Sequence, residues 1–238
     1  MNSLNTSKLV NTTPVIGGGE KQTAQAVKPA LEDLNIAPYS YDDHIIESAR
    51  LENAPKLRVY PFNGTAVILG RSGDPFRELY LDAVLEDSVP VFRRLGGGGS
   101  VVLDSGNLVV SLAMLEAGFG RISYYNDRLS DWLITALSKA GIKGVEKRGI
   151  SDLSIGERKI AGASLYRSKG ILFYTATILV NPDITLIERY LKHPSKEPEY
   201  RRGRNHREFL LAISELDKSA DIFHLSAELK ELLIPPIL

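Results

Sequence analysis

Hydrophobic and polar positions alternate in short stretches over most of the chain and take a helical period in only a few places. Leu57-Arg58-Val59-Tyr60-Pro61-Phe62 alternates and predicts a half-buried strand; residues 65–70 predict a second. Asn63-Gly64 between them carries a tight-turn signature, which predicts that the two pair as a hairpin. Residues 89–92 are an apolar run and 108–112 an apolar run interrupted only by Ser111, and both predict buried strands. Four further strands are predicted over 145–148, 153–155, 159–166 and 171–180, with hairpin turns at 155–158 and 168–170. A long amphipathic helix is predicted over 122–140, with Leu129, Trp132, Leu133, Ala136 and Leu137 on its apolar side and Gly141 closing it. Shorter helices are predicted after Tyr41-Asp42-Asp43 (through Ile45, Ile46 and Ala49) and over 78–87, 184–191, 206–216 and 226–233. Short strands, several hairpins and helices gathered late predict an α+β fold, a mostly antiparallel mixed sheet flanked by helices.

Residues 1–38 are rich in Ser, Thr, Asn, Lys and Gly without sustained periodicity, and predict a mobile arm with a short helix around 24–34. Residues 39–238 then form one domain, a size suited to a single core. The 29 basic and 29 acidic residues cancel, so no global field favours nucleic acid or a membrane surface. No apolar run is long enough to span a bilayer and no secretory leader is visible, so the expected compartment is the cytoplasm. The absence of cysteine excludes disulfides, thiolate metal sites and cysteine nucleophiles. The four histidines lack metal-ligand spacing.

Chemistry concentrates in Arg93-Arg94-Leu95-Gly96-Gly97-Gly98-Gly99-Ser100-Val101-Val102-Leu103-Asp104-Ser105-Gly106-Asn107. Four successive glycines are costly in a folded chain and are kept where backbone must approach a ligand or adopt dihedrals closed to other residues. Their amides can form a concave donor surface for an anion, and two guanidinium groups beside them strengthen that reading. The predicted buried strands on either side argue against a Gly/Ser linker. The run Arg201-Arg202-Gly203-Arg204-Asn205-His206-Arg207 invites a nucleic-acid reading, but it stands almost alone beside one tyrosine, and nucleic-acid binding is not expected.

Three segments in order carry a resemblance: Gly70-Arg71-Ser72-Gly73-Asp74-Pro75, the Arg-Arg-Leu-Gly-Gly-Gly-Gly-Ser-Val loop with Asp104-x-Gly-Asn107, and Ile150-Ser151-Asp152-Leu153 leading to Arg158-Lys159-Ile160-Ala161-Gly162. Together, over roughly residues 55–216, the chain resembles the lipoate–protein ligase A family, within the wider group of biotin and lipoate ligases. The resemblance implies a two-step reaction in which lipoate and ATP give an acyl-adenylate, and the acyl group then passes to a lysine of a lipoyl domain. It implies Lys159 as the catalytic cation at the carboxylate and α-phosphate. It further implies Arg94, Gly97, Gly98, Gly99, Val101, Asn107, Asp152 and Gly162 as substrate- and adenylate-binding positions. Asp152 would orient the site or hold Mg²⁺, and Val101 and Leu103 would wall an acyl tunnel. Arg71 is carried as a weaker candidate, and Arg93 as a surface salt-bridge partner. In this context Arg201, Arg202 and Arg204 are expected to meet the acidic surface of the acceptor domain.

The chain departs from the family pattern at three places. Leu103 stands where the family has histidine, Gly73-Asp74 where it has Gln-Asn, and Ser151 where it has Asn. These departures leave open a catalytically silent module binding lipoate or nucleotide, or a transferase of preformed adenylate or octanoyl groups that needs a partner. An amidotransferase working through a cysteine thioester is opposed by the lack of cysteine; a biotin ligase is opposed by the missing Gly-Arg-Gly-Arg loop. The family's two-domain members carry a further C-terminal domain that is not expected here, leaving a compact ligase or one completed by a separate accessory subunit.

Overall fold

A computed structural model describes residues 34–115 and 121–236. Residues 1–33, including the helix expected around 24–34 up to its last position, lie outside the described residues. Ten strands and eight α-helices follow one another among those described: β1 (Ile36–Pro38), α1 (Asp43–Glu52), β2 (Lys56–Pro61), β3 (Ala66–Leu69), α2 (Pro75–Glu78), α3 (Leu81–Glu86), β4 (Val91–Arg93), β5 (Val101–Leu103) and β6 (Asn107–Leu115) lead into α4 (Ile122–Lys139). After α4 come β7 (Val145–Arg148), β8 (Asp152–Ile155), β9 (Arg158–Ser168), β10 (Ile171–Leu179), α5 (Ile184–Tyr190), α6 (His206–Phe209), α7 (Ile213–Leu216) and α8 (Ile222–Leu232). A six-stranded sheet has the order β2-β6-β10-β9-β8-β7, with every neighbouring pair antiparallel; a four-stranded sheet runs β1-β4-β3-β5 and is partly parallel.

The period of two along β6 and β10 sorts their side chains to opposite faces of the larger sheet. Leu108, Val110, Leu112 and Met114 of β6, with Leu172, Tyr174, Ala176 and Ile178 of β10, face the apolar stripes of α4 and α8 through Leu129, Leu133, Leu137, Leu225 and Leu229. On the opposite face, Ala113, Ile171 and Phe173 pack on Ile45, Ile46 and Ala49 of α1. Beside them Val109 meets Ala66, Ile68 and Leu103 of the smaller sheet. The smaller sheet buries its other face, Val67, Leu69, Val91 and Val102, against α3 and α5. The two sheets therefore stand face to face, and the intervening space is where a ligand can enter.

The antiparallel α+β expectation holds, with four corrections. The strands at 57–62 and 65–70 do not pair: β2 joins the larger sheet and β3 the smaller one, and Asn63-Gly64 (Gly64 φ 82°) carries the chain across. The reason is burial, since all four residues of β3 are buried, needing cover on both faces, while β2 is a half-buried edge. The helix expected over 78–87 breaks at Leu79, which is fully buried and bridges Leu191. The helix expected over 206–216 is split, because Phe209-Leu210-Leu211-Ala212-Ile213 are all buried and leave no polar face for a helix to show. The arm ends earlier than residue 38, since β1 pairs in parallel with β4.

Candidate functional site

A cavity of about 150 Å³ opens between the two sheets. Its apolar walls come from Ile68, Val101, Leu103, Val109 and Phe173, with Tyr39 beside them, and Thr175 and Thr177 of β10 add hydroxyls. Its polar end is formed by Asp152 and Lys159 on the β8–β9 hairpin, facing Gly98 and Gly99 of the glycine loop. Two of the three sequence segments, the glycine loop and the stretch from Ser151 to Gly162, thus converge, while the volume is below that of sites enclosing a whole drug-sized ligand. The space fits part of a substrate, its narrow apolar portion.

The hairpin wall is built on local geometry. Lys159 Nζ lies 2.7 Å from Asp152 Oδ1, and the two side chains are 23% and 16% exposed, so the pair is sheltered yet reachable. Asp152 Oδ2 accepts from the Tyr200 hydroxyl at 3.0 Å. The Lys159 side chain crosses Gly162: a Cβ there would stand 2.7 Å from Nζ and 2.8 Å from Cε. Glycine at 162 is therefore a condition for Lys159 to reach Asp152, a closer approach than any side chain permits. Behind it, Leu211 N donates to the Lys159 carbonyl at 2.8 Å, which fixes the strand from outside the sheet.

The loop wall differs. Arg94 Nη2 donates to the carbonyls of Gly97 (2.7 Å) and Gly99 (2.8 Å), and Nη1 to that of Ile68 (3.3 Å). Burial, opposed by the charge of Glu78, lowers its pKa to about 10, which keeps it charged at neutral pH. Its Nε is buried without a partner. Arg93 is no surface ion-pair partner: its Nη1 donates to the carbonyls of Gly70 (3.0 Å), Arg71 (3.3 Å) and Gly73 (2.9 Å). Glu78 ties the two loops together, accepting from Asp74 N at 3.2 Å and from Ser100 N and Oγ at 2.9 and 2.6 Å. With its carbonyls drawn to Arg94, the loop turns other groups outward. Among the described residues, the amides of Gly97, Gly98 and Gly99 donate to no protein acceptor. Gly98 has φ 95°, open to glycine and strained for other residues.

Of the expected positions, Lys159, Arg94, Gly98, Gly99, Val101, Asp152, Gly162 and Leu103 line the cavity; Gly97 lies beside it on the loop. Asn107 does not. It is fully buried, its Oδ1 accepts from Asp104 N at 2.7 Å, and it closes a turn whose Asp104 Oδ2 accepts from Asp183 N at 2.6 Å. The Asp-Ser-Gly-Asn half of the motif thus clamps β6 to the start of α5, the ordinary role of Asx side chains in turns. Arg71 is exposed and outside the lining. The basic run is divided: Arg201 is 5% exposed and Arg204 donates to the carbonyls of Tyr200 and Glu157 at 2.8 Å each, while Arg202 is 74% exposed and 3.7 Å from Glu157. Arg207 pairs with Glu188.

A resident magnesium ion does not fit the donor set. Both Asp152 oxygens are committed, Asp152 is the sole carboxylate lining the cavity, and among the described residues no three His, Cys, Asp or Glu side chains cluster as ligands. Tyr200, Thr175 and Thr177 were not expected. The threonines left a signal, polar positions alternating within an apolar strand; Tyr200 reaches the site only through tertiary packing. No helix among the described residues is long and apolar enough to cross a membrane.

The family model for the lipoyl protein ligase A/B catalytic domain matches residues 37–228. The chain is 30% identical over 129 residues to a probable lipoate-protein ligase A of Mycoplasma pneumoniae, covering 54% of this chain and 38% of that protein. It is 29% identical over 168 residues to lipoate–protein ligase 1 of Staphylococcus aureus, covering 68% and 48%. The chain thus spans less than half the length of these curated relatives. Among solved structures, a lipoate-protein ligase A bound with ATP superposes with a TM-score of 0.67 at 24% identity, covering 84% of this chain and 81% of that one. A bipartite lipoate protein ligase studied with its E2 lipoyl domain, from Thermoplasma acidophilum, matches with the same TM-score and identity, covering 84% and 80%. These two establish the shared fold.

Proposed function

The chain belongs to the lipoyl protein ligase A/B catalytic-domain family, and on that premise we propose that it activates lipoate, or a similar short fatty acid, with ATP and passes the acyl group to a lysine of a lipoyl domain. The observation that carries this reading is the cavity, whose lining brings apolar residues together with the Lys159–Asp152 pair and with Gly98 and Gly99, whose amides have no protein acceptor. An acid with an apolar tail places its carboxylate where cation and amides can both reach it.

In the first step the carboxylate oxygen attacks the α-phosphorus of ATP, and pyrophosphate leaves. Charge grows on the phosphoryl oxygens, where the Lys159 ammonium and the Gly98 and Gly99 amides supply fixed positive poles. A Cβ at Gly97 or Gly99 would meet no protein atom within 4 Å, so the protein's own packing does not call for glycine there; a ligand lying on the amides does. The cavity holds the acyl portion, and the nucleotide lies over the loop outside it. Magnesium would arrive on the phosphates of ATP. In the second step the acceptor amine attacks the acyl carbonyl and AMP leaves.

Names of the relatives and the ATP-bound and lipoyl-domain-associated neighbours support this reading of substrate and acceptor. A separate chain supplying further parts of a ligase accords with the bipartite neighbour. The test is lipoate-dependent exchange of pyrophosphate into ATP by the purified chain, with and without lipoyl domain. Exchange that requires lipoate supports adenylation. Saturable lipoate binding without exchange or transfer would replace the ligase by a binding module.

A further inference from the structure

The segment around the basic run also touches the strand that carries Lys159. Tyr200 lies on a 3-10 turn, Glu199–Arg201, and is 9% exposed, its ring packed on Phe209 with 5.1 Å between centroids. Arg201 and Arg204 stand over the same Phe209 ring, at 4.8 and 5.4 Å. Arg201 Nε donates to the Arg204 carbonyl and Arg204 Nε to the Arg201 carbonyl, so the turn is cross-braced by its own guanidinium groups. Ten residues on, Leu210 bridges Lys159 in parallel, Leu211 N donates to the Lys159 carbonyl, and Arg158 donates to the Leu210 carbonyl at 2.6 and 2.9 Å. The segment 200–211 therefore holds Lys159 twice, by its backbone and by the carboxylate opposite its ammonium.

We propose that Tyr200 is a positioning residue for the reaction, its hydroxyl fixing the Asp152 carboxylate so that Asp152 in turn fixes the Lys159 ammonium. The inference rests on the reading of Lys159 as the cation at the carboxylate and phosphate. A carboxylate with one oxygen held rotates about its Cβ–Cγ bond; with both held, at 2.7 Å by Lys159 and 3.0 Å by Tyr200, it has a single orientation. Tyr200 is absent from the cavity lining and its hydroxyl bonds Asp152, so it is placed to act through Asp152. The arginine-rich run gains a purpose from this: it stiffens the turn that aims the hydroxyl.

The test is Tyr200→Phe, which keeps the ring on Phe209 and removes only the hydroxyl, measured alone and in an Asp152→Asn background. The expected result is a kcat for pyrophosphate exchange reduced roughly ten- to hundredfold by misplacement of the cation, with the KM for lipoate and ATP and the melting temperature unchanged. In the Asp152→Asn background the same substitution should have no further effect. Full kcat in Tyr200→Phe, an equal loss in both backgrounds, or a loss that follows a fall in melting temperature would overturn the proposal. If the wild-type chain shows no exchange, adenylation by this chain alone is excluded. Tyr200 is then judged by the Kd of octanoyl-sulfamoyl-adenosine, a non-reactive mimic of the adenylate. Weaker binding in Tyr200→Phe that vanishes in the Asp152→Asn background supports the proposal, and equal Kd values, or no binding by the wild type, overturn it.

Discussion

The two walls of the cavity use positive charge in opposite ways. On the loop wall, Arg93 and Arg94 spend their donors on carbonyls of the protein itself, four of them glycine carbonyls, while the amides of Gly98 and Gly99, also in the lining, have no protein acceptor. On the hairpin wall, Lys159 faces the cavity with its ammonium, held by one carboxylate. Arginine suits the first task because its planar fork reaches several carbonyls at once, and lysine the second because it is a compact point charge. Cations beside a glycine run are thus scaffold here, and the anion site is made of amides on one side and an amine on the other.

The largest test of this contrast is Lys159→Ala, which should lower adenylation by about 100- to 1000-fold, the effect of deleting one fixed transition-state donor, while leaving the melting temperature unchanged. Exchange kinetics check it, and near-wild-type exchange would remove Lys159 from the chemistry. Next is Gly162→Ala. The new Cβ would sit within 2.7 Å of the flexible end of Lys159, so the amine moves and the strand stays. A kcat loss of roughly tenfold or more is expected from such a displacement, with urea denaturation unaltered; an active variant would show that the position of Lys159 over Gly162 is immaterial. Arg94→Lys should act the other way round, lowering stability by about 2 kcal/mol through lost charge-assisted bonds and raising the KM for ATP as the loop loosens. A stable variant with kcat alone reduced would return Arg94 to direct catalysis.

The smallest effect lies outside both walls and separates the stability of the fold from the site. Bonds from Arg189 and Tyr190 hold the Asp87 carboxyl down to about 2 from its ordinary 3.8. A lowered native value means that this contribution is present above about pH 4 and fades as pH falls toward 2. Asp87→Asn should flatten the acid limb of stability between those values, seen in urea midpoints, and leave exchange at neutral pH untouched.

What was legible in the sequence was whatever is local. The helix at 122–139 and the turns at 155–158 and 168–170 follow from period and turn chemistry among near neighbours, and they lie where expected. The second and third motif segments announced that Lys159, Asp152, Gly98 and Gly99 belong together, and the cavity joins them. The illegible parts depend on partners far along the chain. Asn63-Gly64 looks like any hairpin turn, and only the two-sided burial of β3 sends it to another sheet. Arg93 and Arg94 show their charge in the sequence but not the carbonyls that claim it. Asn107 sits inside the motif yet turns toward Asp104, and Tyr200, 48 positions from Asp152, gives no local sign of its hydrogen bond.

The division between the walls is tested most directly by NMR of the chain labelled with ¹⁵N-glycine and ¹⁵N-arginine, titrated with octanoyl-sulfamoyl-adenosine. The account predicts downfield shifts of the Gly98 and Gly99 amide protons as they acquire acceptors, with the Arg94 Nη resonances unmoved. Unmoved glycine amides with shifted Arg94 Nη resonances would contradict it and make the guanidinium the anion site.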